Sequence, residues 1–191
     1  MKQITDWNKV RDEAHELAKI HGFWSRPRHS REHFLCLVIS ELMEAVEADR
    51  KSRYAKIPND PTDTIFDRRT FHPDNVYFKD NFEKYVKDTV EDELADSIIR
   101  ILDLAGDCGV NLNGYYNPNR NVISRVNTFT ENVFGIVRDI TSYKFTISEK
   151  LNYARVEICK LAELMGIDLA AHIRYKMAYN RTRGFMHGKK Y

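Results

Sequence analysis

The chain has 191 residues, 42% hydrophobic and 30% charged, with a formal net charge of +2. That apolar content excludes global disorder, and the length suffices for one core without disulfide or zinc staples. So small a net charge excludes an overall nucleic-acid footprint. Three cysteines, Cys36, Cys108 and Cys159, are an odd number at long spacings with no CxxC pair. They read as reduced thiols, and a reducing cytoplasm is the expected location. The N-terminal residues lack the apolar run of a signal peptide, and no stretch approaches the roughly 18 apolar residues that span a bilayer.

In chain order, the first helix is expected over 6–21, with Trp7, Val10, Ala14 and Leu17 at helical spacing and Thr5 or Asp6 as its cap. Gly22 ends it. A second helix is expected over 30–53, turning Phe34, Leu37, Val38, Leu42, Ala45 and Val46 inward. A third should run over 82–108 along Val86, Val90, Leu94, Ile98, Ile101, Leu102 and Ala105, and stop at Gly109. A fourth covers 125–141 and a fifth 147–165. Asp168 caps a sixth that reaches Arg181. Strand signals are few, so the expected fold class is all-α: one domain, a bundle of five to six helices.

Two connections are long. Residues 54–81 contain Pro58, Pro61 and Pro73 and form an insertion loop, with Phe66, Phe71, Tyr77 and Phe78 too aromatic for a plain solvated linker. It either packs on the body or moves over a site. Residues 110–123 form an Asn-rich surface loop. Leu104-Ala105-x-x-x-Gly109-Val110-Asn111-Leu112 is echoed by Leu161-Ala162-x-x-x-Gly166-Ile167-Asp168-Leu169. The echo suggests a degenerate internal duplication. Aligning the copies sets Lys150 opposite Glu93 and Tyr153 opposite Asp96, so the carboxylates of that pair are absent from the second copy.

Glu41-Leu-Met-Glu44 and Glu93-Leu-Ala-Asp96 are two carboxylate pairs at i,i+3, each bordered by apolar residues of a core helix. Four converging acids repel unless some stay protonated or a hard divalent cation with oxygen ligands joins them. They are a candidate magnesium site. Glu47, Asp49, Asp103 and Asp107 read as solvated acids, with Glu47 able to support the site from outside. Near the C-terminus, Lys176, Asn180 and Arg183 lie at i, i+4 and i+7. They run into the basic tail Gly184-Phe185-Met186-His187-Gly188-Lys189-Lys190-Tyr191. A cationic stripe of this kind suits a polyphosphate.

Together, ExxE, then Glu91-Asp92-Glu93-Leu94-Ala95-Asp96, then K-x-x-x-N-x-x-R-x-x-x-H-G-K-K resemble the all-α nucleoside triphosphate pyrophosphohydrolases. These include MazG-like proteins, dCTP pyrophosphatases and dimeric dUTPases. Trp24-Ser25-Arg26-Pro27-Arg28 is similar to that family's aromatic and Pro-Arg segment. The resemblance covers roughly 24–96 and 161–190. It implies a hydrolase in which Glu41, Glu44, Glu93 and Asp96 hold Mg2+ (or Mn2+). Water attacks the α-phosphorus, with Glu44 as the proton acceptor. It implies that Lys176, Asn180 and Arg183 contact the substrate, that His187, Lys189 and Lys190 close over pyrophosphate, and that the assembly is a homo-oligomer, dimer or tetramer. Trp24 is the first candidate by position for the base platform, ahead of His29, His33 and Tyr54, with a core or interface tryptophan as the equal alternative. The chain departs from the family pattern in its long gap between Glu44 and Glu93 and in the segment 110–144.

Three other readings compete. A di-iron bundle needs Glu-x-x-His pairs that this sequence lacks. A nucleic-acid binder is disfavoured by the charge balance. A non-catalytic helical module that binds a nucleotide or a protein is the alternative of a different class.

Overall fold

The computed structural model describes residues 4–25, 29–56, 72–114, 122–188 and 190. Among them the architecture is all-α, with no strand. The helices are α1 (Trp7–Ile20), α2 (Arg31–Arg50), α3 (Phe78–Tyr85), α4 (Val90–Cys108), α5 (Phe129–Thr141), α6 (Ile147–Leu164) and α7 (Leu169–Arg181), followed by a short 3-10 turn at Phe185–Gly188. No helix among the described residues is long and apolar enough to cross a membrane.

Side-chain caps set most of the helix starts. Asp6 accepts from the Lys9 amide, Ser30 from His33, and Asp168 from Ala171. Thr128 and Glu131, and likewise Thr146 and Glu149, form reciprocal capping boxes. The first of these boxes moves the start of α5 to Phe129, four residues beyond the sequence expectation of 125.

The expected helix over 82–108 is two helices. The chain breaks at Asp88, whose φ is 60°, and Thr89 restarts it by capping α4. The apolar period does not register the break, because Val86 and Val90 are both fully buried, one on each side of it. The end of the expected 54–81 loop is also helical: Phe78 and Phe82 of α3 are buried against Ala178 and Tyr179 of α7. Phe82 stacks on Tyr179 with ring centroids 4.5 Å apart. Phe66 and Phe71 lie outside the described residues, as does much of the Asn-rich loop.

α4 is the axis of the bundle. Thirteen of its 19 residues are buried, so it must be covered on nearly all sides. α1, α2, α6 and α7 pack around it, and α5 lies against α6 and α2. One main core joins these helices, with Leu42, Leu94, Ile98, Ile101, Ile136 and Ile158 fully buried. The two glycine endings that echo each other in sequence close alike. Gly109 and Gly166 sit at φ 64° and 74°, and the next residue's amide reaches back to the Ala105 and Ala162 carbonyls at 2.9 Å.

His172, on α7, is buried with Nδ1 lacking a hydrogen-bond partner among the described residues. Burial pushes its pKa down to about 4. The folded protein therefore refuses a proton that the unfolded chain takes up below about 6.5. Stability should fall as the pH drops from about 6.5 to 4. His172→Phe should shrink the difference in melting temperature between pH 7 and pH 5, and an unchanged difference would remove His172 as its source.

Candidate functional site

Four acids of α4, Glu91, Asp92, Glu93 and Asp96, lie in its first two turns, towards the helix end where the dipole favours negative charge. Here they are also deeply buried: Glu91, Asp92 and Glu93 all face inward, and Asp96 is half-buried. Glu91 accepts from the Ala55 amide at 2.8 Å, tying the chain after α2 to the start of α4. Asp92 accepts from the Asp88 amide at 3.0 Å.

Lys176 of α7 enters this acidic end. Its ammonium, on a residue 5% exposed, lies 2.9 Å from Asp92 and 2.8 Å from Asp96. Burial alone would lower the Lys176 pKa. Asp96 and Asp92 outweigh burial and hold it well above the usual lysine range. Asp92 is pushed up to about 6, chiefly by burial, with Lys176 opposing.

Glu41 of α2, Glu93 and Asp96 each present a carboxylate oxygen within 4.8 Å of the others. Glu41 is balanced by Arg100, whose Nε lies 3.0 Å from it. Glu93 is 5% exposed, and its pKa is pushed up to about 9 by burial and by Asp92, Asp96 and Glu41. At neutral pH in this state it is a neutral carboxylic acid. Asp88, Asp92 and Glu93 form a second such trio, so Glu93 belongs to both.

Glu44 stands apart from both trios. It is exposed, one turn along α2 from Glu41, with Ser40 at 3.4 Å. It shares with Glu93 a cavity of about 160 Å3 that Glu47, Lys51, Arg53 and Asp88 also line.

Of the C-terminal stripe, Lys176 is committed to Asp92 and Asp96, while Asn180 and Arg183 line a second cavity with Asp96, Arg100, His21 and His187. That cavity measures about 50 Å3, room for one or two waters. Asn180 Oδ1 and His187 Nε2 are buried beside it with no hydrogen-bond partner among the described residues. Arg183 donates to the His187 carbonyl at 3.2 Å. His187 packs edge-on against His21 and Phe23, and the Met186 amide donates to the His21 carbonyl at 2.8 Å. The tail thus returns onto the end of α1.

Trp24 is a packing residue in this state. It stacks on Phe34 with centroids 4.4 Å apart and donates Nε1–H to Asp103 at 2.8 Å. Asp103 is also 2.8 Å from His15. This buried acid, read from sequence as solvated, ties α4 to α1 and to the chain after it. Lys189 lies outside the described residues.

Sequence reasoning assigned no role to Asp92 or Arg100. The signal for Asp92 was available, since it is i,i−4 from Asp96 and one lysine can bridge such a pair. Arg100 had no comparable signal, because its partner Glu41 is 59 residues away. No family model, curated protein or solved structure matches the chain.

Two substitutions in this cluster should act in opposite directions in the absence of divalent cations. Lys176→Met leaves Asp92 and Asp96 buried without their counter-ion and should cost about 3–5 kcal/mol, more at pH 8 than at pH 5. Glu93→Gln removes an acid that the fold must keep protonated. A raised folded pKa means that stability is lost as the pH climbs from about 4.5 towards 9. Glu93→Gln should therefore raise the melting temperature at pH 7 by several degrees, at roughly 2–4 °C per kcal/mol. Thermal melts across pH check both, and a lower melting temperature for Glu93→Gln at pH 7 would contradict the Glu93 assignment.

Proposed function

We propose that the chain is a magnesium-dependent nucleoside triphosphate pyrophosphohydrolase that releases a nucleoside monophosphate and pyrophosphate. The observation that carries this reading is the convergence of Glu41, Glu93 and Asp96 from two helices to within 4.8 Å. These are three of the four acids singled out by the resemblance to the all-α pyrophosphohydrolases. The donor set fits a hard cation, being all carboxylate oxygen. The raised pKa of Glu93 supports it too, since crowded acids are relieved by a positive charge among them. Magnesium, when bound, neutralises triphosphate charge and acidifies a water.

The chain's own residues divide the remaining work. Glu44, exposed at the cavity it shares with Glu93, accepts the proton of the attacking water. Arg100 and Arg183 make one wall of the tail-side cavity cationic, as a phosphate requires. Asn180 Oδ1 and His187 Nε2 offer an acceptor and a ring nitrogen there. Lys176 holds Asp96 in place rather than reaching for phosphate. Neither cavity, at about 50 and 160 Å3, admits a nucleotide, so the 184–188 segment lifts from α1 on binding. Substrate contacts from Trp24 and Lys189, and a homo-oligomeric assembly, belong to the same proposal.

One observation favours a second reading. Lys176 already pairs with both Asp92 and Asp96, as it would in a helical module that binds a nucleotide or a protein without chemistry.

Incubation with a panel of nucleoside triphosphates and Mg2+, measuring pyrophosphate against orthophosphate, separates the two. The enzyme reading expects pyrophosphate as the primary product. It also expects Glu93→Gln to lose more than about 100-fold in rate, beyond the cost of losing a mere ligand-supporting group. Orthophosphate as the primary product would exclude attack at the α-phosphorus. Nucleotide binding without hydrolysis would leave the module. Separately, Mg2+ or Mn2+ should raise the melting temperature of the parent chain and not of Glu41→Gln, and equal shifts in both would remove Glu41 from the cation site.

A further inference from the structure

A cavity of about 330 Å3 opens between the start of α1, the outer face of α6 and the start of α7. None of the acids of the site above lines it. Its walls are largely apolar, with Ile4, Trp7, Val156, Ile167 and Ile173 among them, and Arg155 of α6 enters from one side. Its volume lies at the small end of the range for organic ligands, too little for a nucleoside triphosphate.

Arg155 is 7% exposed. Its guanidinium carbon stands 4.8 Å from the centroid of the Trp7 ring, and that cation–π contact is its one specific interaction with a described residue. Nε is buried without a hydrogen-bond partner, and no carboxylate pairs with the guanidinium among the described residues. The acids at the rim are engaged elsewhere or exposed. Asp168 caps α7 through the Ala171 amide at 3.1 Å, and Glu163 faces solvent. Burial pushes the Arg155 pKa down, with the Cys159 thiol opposing. A guanidinium does not shed its proton, so this is a buried cation lacking a counter-ion beside an open cavity. Leu169 and Ala170, in the first turn of α7, line the same space, and Lys160 of α6 adds a second cation to its lining.

We propose that this cavity is a binding site for a small organic anion, its carboxylate or phosphate head paired with Arg155 and its flat apolar body against Trp7 and the wall of α7. The Arg155 cation selects the charge. The Trp7 ring and Ile173 select a ring-sized apolar body. The site is separate from the acidic end of the bundle and would bind its ligand whether or not that end hydrolyses nucleotides.

The test uses the full chain and follows tryptophan fluorescence, because Trp7 lines the cavity. The probes are phenylacetate, phenyl phosphate, benzyl alcohol and inorganic phosphate. One or both aromatic anions should give a saturable change, and their order tells whether carboxylate or phosphate is preferred. Benzyl alcohol and inorganic phosphate, each lacking half of the recognition, should bind at least about tenfold more weakly. Arg155→Met should weaken the aromatic anions by about tenfold or more while far-UV circular dichroism stays helical. Ala170→Phe, which fills the cavity from a half-buried position on its wall and leaves Arg155 in place, should also abolish binding, so the test survives if Arg155→Met does not fold. Equal binding of benzyl alcohol, retention in both variants, or no response to either anion at millimolar concentration would overturn the assignment. Sedimentation of the same samples guards one more outcome: a dimer that Arg155→Met breaks would give the counter-ion to a second copy of the chain and likewise overturn it.

Discussion

Lys176 Nζ sits between Asp92 and Asp96, and the acidic end of the bundle depends on that placement. Three consecutive acids open α4, and the packing of α1, α2, α6 and α7 around this helix leaves them little water. A buried carboxylate must be paired, hydrogen-bonded or protonated. All three solutions occur within two turns. Asp92 and Asp96 are paired to one ammonium, Glu91 is hydrogen-bonded to the chain leaving α2, and burial pushes Glu93 towards its protonated form when no cation is bound. Because the ammonium comes from α7, the pairing also fixes where α7 lies on α4. That in turn sets where Asn180, Arg183 and the tail meet the end of α1.

The same logic separates the residues of the two acidic pairs. Residues three apart on a helix point about 60° away from each other, so they share a face without sharing an environment. On α2, Glu41 looks into the bundle and meets Arg100, while Glu44 looks outward. On α4, Glu93 is enclosed and Asp96 reaches the rim, where it touches both Lys176 and the tail-side cavity. A buried acid with a raised pKa next to an exposed one is a division between a group that responds to added positive charge and a group that can exchange protons with water.

Much of this was legible in the sequence. The helical periods gave the bundle, and Asp6 and Asp168 announced their caps. The acidic pairs stood out because apolar residues flank them on every side, and Glu41, Glu93 and Asp96 do converge. The break at Asp88 was hidden because the apolar stripe continues through it, so only the Thr89-x-x-Asp92 cap signal marked it. Lys176 was visible as a cation on a helical face, but its partners lie 80 and 84 residues away, and spacing within one helix says nothing about what the next helix presents. The packing of Trp24 shows the same limit. Its indole is satisfied by Asp103, an acid whose burial comes from α1 packing across it. Local pattern gives faces, and the pairing of faces decides which charges are enclosed.

The end of α1 and the C-terminal turn interlock through Gly22. A Cβ on Gly22 would overlap the Phe185 ring, and the adjoining His21 carbonyl receives the Met186 amide. A side chain at position 22 would therefore displace the exposed Phe185 ring, and at a φ of 85° it would also strain the turn after α1. Gly22 therefore serves two ends of the chain at once: its positive φ permits the turn that closes α1, and its missing side chain leaves the space in which the Phe185 ring sits.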